Sequence, residues 1–220
     1  MKLFGALLKR NSVLYWHSIY VRLFLLLGTT IVVLIVDHLR KLSFAVVFYG
    51  IVQQPGSFEI PIVWLFLILS PLLVVGDSIN SLVKENYPLV SYVPLQIYLG
   101  TIFVVVIITT SFIWLTWFII LAGWQYFLFS LNVLIIICVT TLIYSLLQIF
   151  ISPIITVFIF LGILVATIAI NHFPIFSQLM YSRYGTEVWL QTSISLIILI
   201  VIILFLSKRI YKLDFLCTKH

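Results

Sequence analysis

Asp77–Gly100, with the sequence DSINSLVKENYPLVSYVPLQIYLG, is a short polar stretch between two long apolar runs. It contains one lysine, two acids, two asparagines and two prolines. The runs on either side are continuous and long enough to be helices that cross a membrane. We therefore predict that this stretch joins two membrane spans on one face of the membrane.

The composition of the whole chain agrees with that prediction. Of its 220 residues, 64% are hydrophobic and only 8% are charged. Soluble domains carry about 25% charged residues, so this chain lacks the charges needed for a water-facing surface. Its apolar runs are continuous rather than alternating with polar residues, which favours helices over a membrane β-barrel. We predict a single all-α integral membrane domain, 1–220.

Six apolar segments have the length of a span. The N-terminal segment before them, 2–17, has the pattern of an amphipathic helix lying in the membrane interface, although Asn11 falls on its apolar side. Its anchoring residues are Lys2, Leu3, Leu7, Lys9, Arg10 and Leu14. The predicted spans are 19–36, 60–76, 95–121, 127–149, 154–170 and 188–206.

The lysines and arginines predict the orientation. With six spans, nine of the twelve basic residues lie on the side of the two termini, and Arg40, Lys41 and Arg183 lie on the other. Basic residues are enriched on the cytoplasmic side of membrane proteins. We therefore predict a multi-pass protein of the cell membrane with both termini in the cytoplasm, and the connection 77–94 is cytoplasmic as well.

Motifs for catalysis or nucleotide binding are not found in the sequence. There is no GxxxxGK[ST] loop, no GxGxxG, no HExxH and no GxSxG, and the two cysteines have no metal-ligand spacing. We expect no enzyme activity, bound metal or nucleic-acid partner. An energy source must then come from another subunit or from an ion gradient.

The acidic residues argue against an ion gradient as that source. Carriers driven by protons or sodium need an ionisable group near the middle of the membrane. All six acids lie at or beyond the ends of the predicted spans: Asp37, Glu59, Asp77, Glu85, Glu187 and Asp214.

The layout resembles the permease subunits of ABC-2-type exporters, which have the type V exporter fold. The match consists of the N-terminal helix 2–17, the six spans, the connection 77–94, the tight turn between spans four and five, and the interrupted stretch 171–187. That last stretch resembles the short re-entrant helices that precede the final span in this family. The small size is similar to that of permeases for bacterial peptides or bacteriocins, including the phenol-soluble modulin exporter.

The resemblance implies a role for the connection between spans two and three, which in the family couples the membrane domain to an ATPase. Asn86-Tyr87-Pro88 stands where the family usually has Gly-Thr after the acid. The implied coupling residues are Lys84, Glu85, Asn86, Tyr87, Pro88, Val93 and Pro94. An extracytoplasmic gate in 171–187 would include His172, Pro174, Tyr181 and Arg183.

The resemblance also implies partners. A cytosolic ABC ATPase would bind ATP and magnesium, and a second permease, identical or paralogous, would complete the transporter. The expected cargo is an amphipathic peptide or a lipid-like compound. Two alternatives stay open at this point: a non-transporting immunity or scaffold protein of the membrane, and an ion-coupled secondary carrier.

Overall fold

The computed structural model describes residues 2–39, 44–50, 59–90, 92–121, 123–170, 176–184 and 188–210. These residues form helices and short turns, with no β-strand among them. The α-helices are α1 (Lys2–Leu39), α2 (Phe44–Val47), α3 (Ile62–Val75), α4 (Ser78–Ser81), α5 (Leu95–Ile120), α6 (Phe127–Phe150), α7 (Pro153–Ala169) and α8 (Val188–Ile210). A π-helical turn covers Leu82–Asn86, and 3₁₀ turns cover Pro88–Val90, Gly123–Tyr126, Ser177–Leu179 and Tyr181–Arg183.

Four helical regions in the described part are long and apolar enough to cross a membrane, and α7 is a shorter apolar helix. The prediction of an all-α protein with membrane-spanning helices is therefore confirmed, while the count of six spans stays a prediction. The four regions are Leu3–Val33, Ile62–Asn86, Leu95–Ile120 and Gly123–Phe150.

The N-terminal region forms one helix instead of an interfacial helix followed by a separate span. α1 runs without a break for 38 residues, about 57 Å at the usual helical rise. It contains no proline, and a buried polar side chain on its inner side has a partner on another helix. Asn11 is fully buried and donates to Thr101 Oγ1 on α5 at 2.8 Å. The structure does not separate 2–17 from 19–36, because both belong to α1, which packs against α5.

The second span is interrupted. α3 ends at Val75, and Gly76 follows with φ 50° and ψ −128°, which turns the chain out of the helix. The helical path then resumes through α4 and the π-helical turn as far as Asn86. We predicted that the span ends at residue 76 and that Asp77 lies outside it, and this boundary stays a prediction. The helical region Ile62–Asn86 extends past it and includes the exposed Lys84 and Glu85.

The packing explains why the chain does not leave the bundle at Gly76. The side chains of Ser78, Ile79, Leu82 and Val83 are buried. α4 packs against α1 and against α6, the helix that contacts α3, α4, α5, α7 and α8. Burial of these apolar groups keeps the segment after the break within the bundle.

The glycine at the break should be required there. A Cβ on Gly76 would meet the Arg22 guanidinium, and its positive φ is unfavourable for other residues. We expect Gly76→Ala to lower the melting temperature of the purified protein, by an amount corresponding to about 1–3 kcal/mol of strain. The measurement is thermal unfolding in detergent followed by intrinsic fluorescence.

Gly162→Ala is the matched control, because Gly162 lies within α7 and a Cβ there meets nothing within 4 Å. Alanine is the better helix former, so this variant should be as stable as the wild type or slightly more so. Equal melting temperatures for the two variants would contradict a structural requirement for Gly76.

Candidate functional site

The most unusual feature of the bundle is an ion pair at the break in the second span. Arg22 Nη1 on α1 lies 2.9 Å from Asp77 Oδ1. Arg22 Nη2 donates to the Ser78 hydroxyl at 2.8 Å and to the Ser18 carbonyl at 2.9 Å. The Ser18 hydroxyl donates to Ser78 Oγ, also at 2.8 Å. We call Ser18, Arg22, Asp77 and Ser78 the Arg22–Asp77 cluster.

The helix positions show where this cluster lies along the second helical region. Asp77 comes fifteen residues after Ile62, the first residue of α3, and nine residues before Asn86, where the region Ile62–Asn86 ends. In the other direction, Leu82 lies beside the start of α5, because its carbonyl accepts from the Tyr98 hydroxyl at 2.8 Å. The cluster therefore lies toward the end of this region that meets α5.

Two tyrosines, one on α1 and one on α6, have buried hydroxyl groups without a partner. The hydroxyls of Tyr15 and Tyr144 form no hydrogen bond with the described residues. Tyr15 lies near Thr109, and Tyr144 lies near Gln148, but neither pair reaches hydrogen-bond geometry. Such a group costs about 1–3 kcal/mol, so several in one region require an explanation.

Further buried polar groups continue along α6. Asn132, Thr140, Tyr144 and Gln148 are spaced by multiples of four residues, so the set turns by about 40° for every four residues and winds partly around the helix. All four are buried, and their side-chain polar atoms find no partner among the described residues. The central helix therefore presents a polar stripe to the interior of the bundle.

The structure places the predicted coupling residues together beside the start of α5. Lys84, Glu85 and Pro94 are exposed, and Glu85 accepts from the Ser81 hydroxyl at 2.9 Å. Val93 is buried, and its carbonyl accepts from the Tyr87 hydroxyl at 3.2 Å. The remaining two, Asn86 and Pro88, are half-buried.

Two residues of the same surface were not predicted. Leu89 is 72% exposed and Tyr92 is 79% exposed, next to the exposed Lys84 and Glu85. Large apolar side chains exposed beside charged ones are typical of surfaces that bind another protein. We call the exposed residues Lys84, Glu85, Leu89, Tyr92 and Pro94 the connection surface.

The predicted anchoring residues of 2–17 do not all face outward. Leu7 is buried against the bundle, Leu14 and Arg10 are half-buried, and Leu3 and Lys9 are exposed. Arg10 Nη1 donates to Asn11 Oδ1 at 3.4 Å. Lys2 begins α1, and its side chain is outside the described part. This segment therefore packs as part of the bundle, and its face toward α5 is not free to bind a membrane surface.

The opposite end of the bundle is closed by two segments, 44–50 and 176–184, which we call the aromatic lid. Backbone hydrogen bonds join them, from the Tyr181 amide to the Phe48 carbonyl at 2.7 Å and from the Ser182 amide to the Tyr49 carbonyl at 2.9 Å. Trp64 Nε1 on α3 donates to the Leu179 carbonyl at 2.9 Å. The ring pairs of the lid are Phe44–Phe48, Phe48–Trp117, Phe129–Tyr181 and Tyr126–Tyr181.

Arg183 attaches the lid to α7. Its Nη1 donates to the carbonyls of Thr167 at 2.6 Å and Ile170 at 3.0 Å, and Nη2 donates to that of Ile168 at 3.2 Å. Burial lowers the pKa of Arg183 from its ordinary value. The carbonyls at a helix C-terminus lack intrahelical donors and favour a cation, which compensates for that burial. Of the predicted gate residues, Tyr181 and Arg183 lie in the lid, and His172 and Pro174 are outside the described residues.

The sequence did contain a signal for the Arg22–Asp77 cluster. Arg22 lies near the start of the predicted span 19–36, and Asp77 directly follows the predicted span 60–76. An arginine within one apolar run and an acid within another are expected to pair, because an isolated charge in hydrocarbon is costly. No three His, Cys, Asp or Glu side chains come together as metal ligands in the part of the chain that is described.

No known family model, no curated protein and no solved structure matches this chain. Its function must therefore be argued from the connection surface, the Arg22–Asp77 cluster and the aromatic lid.

Removing the arginine of the lid should loosen it. We expect Arg183→Met to leave three carbonyls at the end of α7 without their donor and to lower stability by about 1–3 kcal/mol. A cysteine at Ser182 should then react faster with a water-soluble maleimide than it does beside the native arginine. Labelling rates of Ser182→Cys with and without Arg183→Met measure this effect.

Arg209→Met is the control, since Arg209 is exposed near the end of α8 and lies over the Phe205 ring. It removes a basic residue far along the chain from the lid and should leave both stability and labelling unchanged. An equal labelling rate at position 182 with and without Arg183 would show that the arginine does not hold the lid closed.

Proposed function

We propose that the chain is the membrane-spanning subunit of an ATP-driven exporter, and that a separate cytosolic ATPase docks on the connection surface. The observation that carries this proposal is the two-sided character of the segment Lys84–Pro94. Its outer side presents a lysine, an acid, a leucine and a tyrosine, while Val90 and Val93 on its inner side are buried in the bundle. A protein bound outside would therefore act on the helices inside.

The contacts of this segment support transmission of force. Pro94 is the residue before the first turn of α5, and the Tyr98 hydroxyl on that helix bonds to the Leu82 carbonyl at 2.8 Å. This hydrogen bond joins the residues before the connection to the helix that follows it. A push on the connection would move α4 and the start of α5 together, as rigid-body mechanisms of domain movement require.

The interior of the bundle suits an amphipathic cargo. The polar stripe of α6 consists of uncharged hydroxyl and amide groups, and apolar side chains surround it. We propose amphipathic peptides first and lipid-like compounds second. A second permease, identical or paralogous, would supply the other half of the path, and ATP and magnesium would be bound by the ATPase.

An ion-coupled secondary carrier is the second candidate, and the Arg22–Asp77 cluster favours it. Carriers of this class place ionisable groups at interrupted helices within the membrane. The acid Asp77 is paired with Arg22 at the interruption of the helical region Ile62–Asn86, and this pair is the observation that favours such a carrier. The connection surface is not explained by this candidate, which is why the ATP-driven exporter comes first.

Reversing the charge of Glu85 should weaken docking. Glu85 is exposed and contacts only Ser81 among the described residues, so Glu85→Arg should fold normally. We expect the amount of ATPase that co-purifies from the native source to fall about tenfold, the effect of losing about 1.4 kcal/mol at an interface. Glu85→Gln keeps an acceptor for Ser81 and tests the charge alone. The measurement is the ratio of ATPase to permease after affinity purification.

Glu59→Arg is the control for charge reversal, because Glu59 is exposed just before α3, at the opposite end of the bundle. If no ATPase co-purifies with the wild-type chain from the native source, the proposal is contradicted. That result would support the alternative of a non-transporting scaffold protein. Export that continues after ATP depletion and stops when the proton and sodium gradients are collapsed would instead support the ion-coupled carrier.

A further inference from the structure

We propose that α1 binds an anionic phospholipid on its exposed face, with the headgroup at Lys9 and Arg10 and an acyl chain along the apolar residues that follow. The inference goes beyond the proposed transport function and does not depend on it, because it concerns the lipid contact of one helix. The ligand is a phosphodiester with a net negative charge that is attached to a hydrocarbon chain.

The first observation is the open position of α1 at the edge of the bundle. In an apolar window of Leu3–Val33, 17% of the residues are buried, compared with 50–67% in the other three regions that are long enough to cross a membrane. The side of α1 that packs against α5 carries the buried Leu7, Asn11 and Tyr15. The other side is not covered by any described residue and faces lipid in a membrane.

The second observation is the arrangement of side chains on that open side. Lys9, Val13, Trp16, Tyr20 and Phe24 follow one another at steps of three or four residues, so they lie within about 80° around the helix. Lys9 is exposed, and the other four are 50%, 48%, 44% and 64% exposed. The rings of Trp16 and Phe24 meet edge to face, with centroids 6.2 Å apart. We call these five residues the α1 stripe.

The α1 stripe has the dimensions of one lipid chain. Tyr20 comes eleven residues after Lys9, which is about 16 Å along a helix. The hydrocarbon of one leaflet is about 15 Å thick, half of the bilayer core. A lipid with its phosphate at Lys9 therefore has apolar side chains beside it for the length of its acyl chain.

The third observation is that Arg10, next to the head of the stripe, has donors to spare. Its Nη1 donates to Asn11 Oδ1 at 3.4 Å, which is long for such a bond, and its guanidinium lies near the Tyr98 hydroxyl. Arg10 is half-buried, and no carboxylate pairs with it or with the preceding lysine among the described residues. Arg22 and Arg183, in contrast, have a carboxylate and three carbonyls as acceptors. Phosphate oxygens suit a guanidinium, which has five donors and binds phosphate in a bidentate manner.

The charges and the apolar stripe together select the class of ligand. Asp37 is the only acid in the sequence of α1, and it comes 27 residues after Arg10. The positive charge of Lys9 and Arg10 favours a headgroup with net negative charge over a zwitterionic one, which carries its own cation. Inorganic phosphate gains nothing from the apolar residues, whereas an acyl chain does.

The test uses the full chain in lipid nanodiscs, with Trp16 as the reporter. Brominated acyl chains quench a tryptophan that they contact, and the difference between the wild type and Trp16→Phe isolates the signal of Trp16. We compare brominated phosphatidylglycerol with brominated phosphatidylcholine at equal mole fractions. The anionic lipid should be preferred at Trp16 about twentyfold, or about fivefold for each of the two basic residues.

The double variant Lys9→Gln, Arg10→Gln should lose this preference, so that both brominated lipids quench Trp16 equally. Lys9→Gln alone should reduce the preference about fivefold, and it removes an exposed side chain, so this variant remains informative if loss of Arg10 disturbs the fold. Lys208→Gln, Arg209→Gln is the matched control, because it removes two exposed basic residues near the end of α8. The control should keep the preference of the wild type.

Equal quenching of wild-type Trp16 by the two lipids, or an unchanged preference in the double variant, would overturn the proposal. Loss of the preference in the α8 control as well would also overturn it, because the effect would then be one of total surface charge. Inorganic phosphate at constant ionic strength should leave the quenching unchanged, and displacement of the brominated lipid by phosphate would assign the basic pair to a free anion instead. Because no ATPase is present, a failure of the docking proposal leaves this result unaffected.

Discussion

The polar contacts that join α1 to the broken second helix are the interaction on which this architecture depends. Arg22 on α1 meets Asp77 at 2.9 Å, directly after the break at Gly76, and its guanidinium also donates to the Ser78 hydroxyl. The two charged side chains are 31% and 63% exposed, so the ion pair alone contributes about 0–1 kcal/mol, and the hydrogen bonds to the buried Ser78 add to it. The break at Gly76 is what brings the acid to the arginine. α1, α3 and α4 are therefore held in one arrangement by this contact.

The broken helix in turn divides the bundle into two parts with different chemistry. Toward the lid, α3 packs its apolar face against α6, and Trp64 is fixed by the Leu179 carbonyl. Beyond Gly76, α4 and the π-helical turn carry the buried Ser78 and the exposed Glu85. The first part forms a closed aromatic end, and the second offers polar groups both to the interior and to the outside. A subunit that acts between two compartments needs two ends of different chemistry, and the aromatic end and the polar end differ in this way.

The apolar pattern predicted the helices whose ends are determined locally. Segments 95–121, 127–149 and 154–170 agree within one residue with α5, α6 and α7. Proline marks the start of two of them: Pro94 precedes α5, and Pro153 begins α7 after the capping Ser152. These signals lie within the segments themselves, and a pattern in one stretch of sequence is enough to read them.

The errors occurred where residues far apart in sequence decide the structure. Asn11 resembled a flaw in an amphipathic helix until its partner Thr101, ninety residues later, was known. Asp77 resembled the first residue of a loop because hydropathy cannot show that Arg22 neutralises it. The hydrogen bond from the Tyr181 amide to the Phe48 carbonyl joins the two segments of the lid. It likewise cannot be predicted from the hydrophobic periodicity of either segment. The Arg22–Asp77 cluster was not predicted for this reason: it consists of long-range pairs, and each member alone resembles an ordinary end of a span.

The same stretch of chain carries both the proposed docking surface and the acid of the Arg22–Asp77 cluster. Glu85 lies eight residues after Asp77, about 12 Å along a helix, and the intervening α4 and π-helical turn are continuous. Gly76 precedes this unit and is the position where its backbone departs from helical geometry. A partner that moves the connection surface would therefore move Asp77 and the buried Ser78 relative to Arg22 on α1. Movement of a short rigid segment about one glycine would change these contacts, and that is the coupling the proposed transport function needs between a docked ATPase and the helices of the bundle.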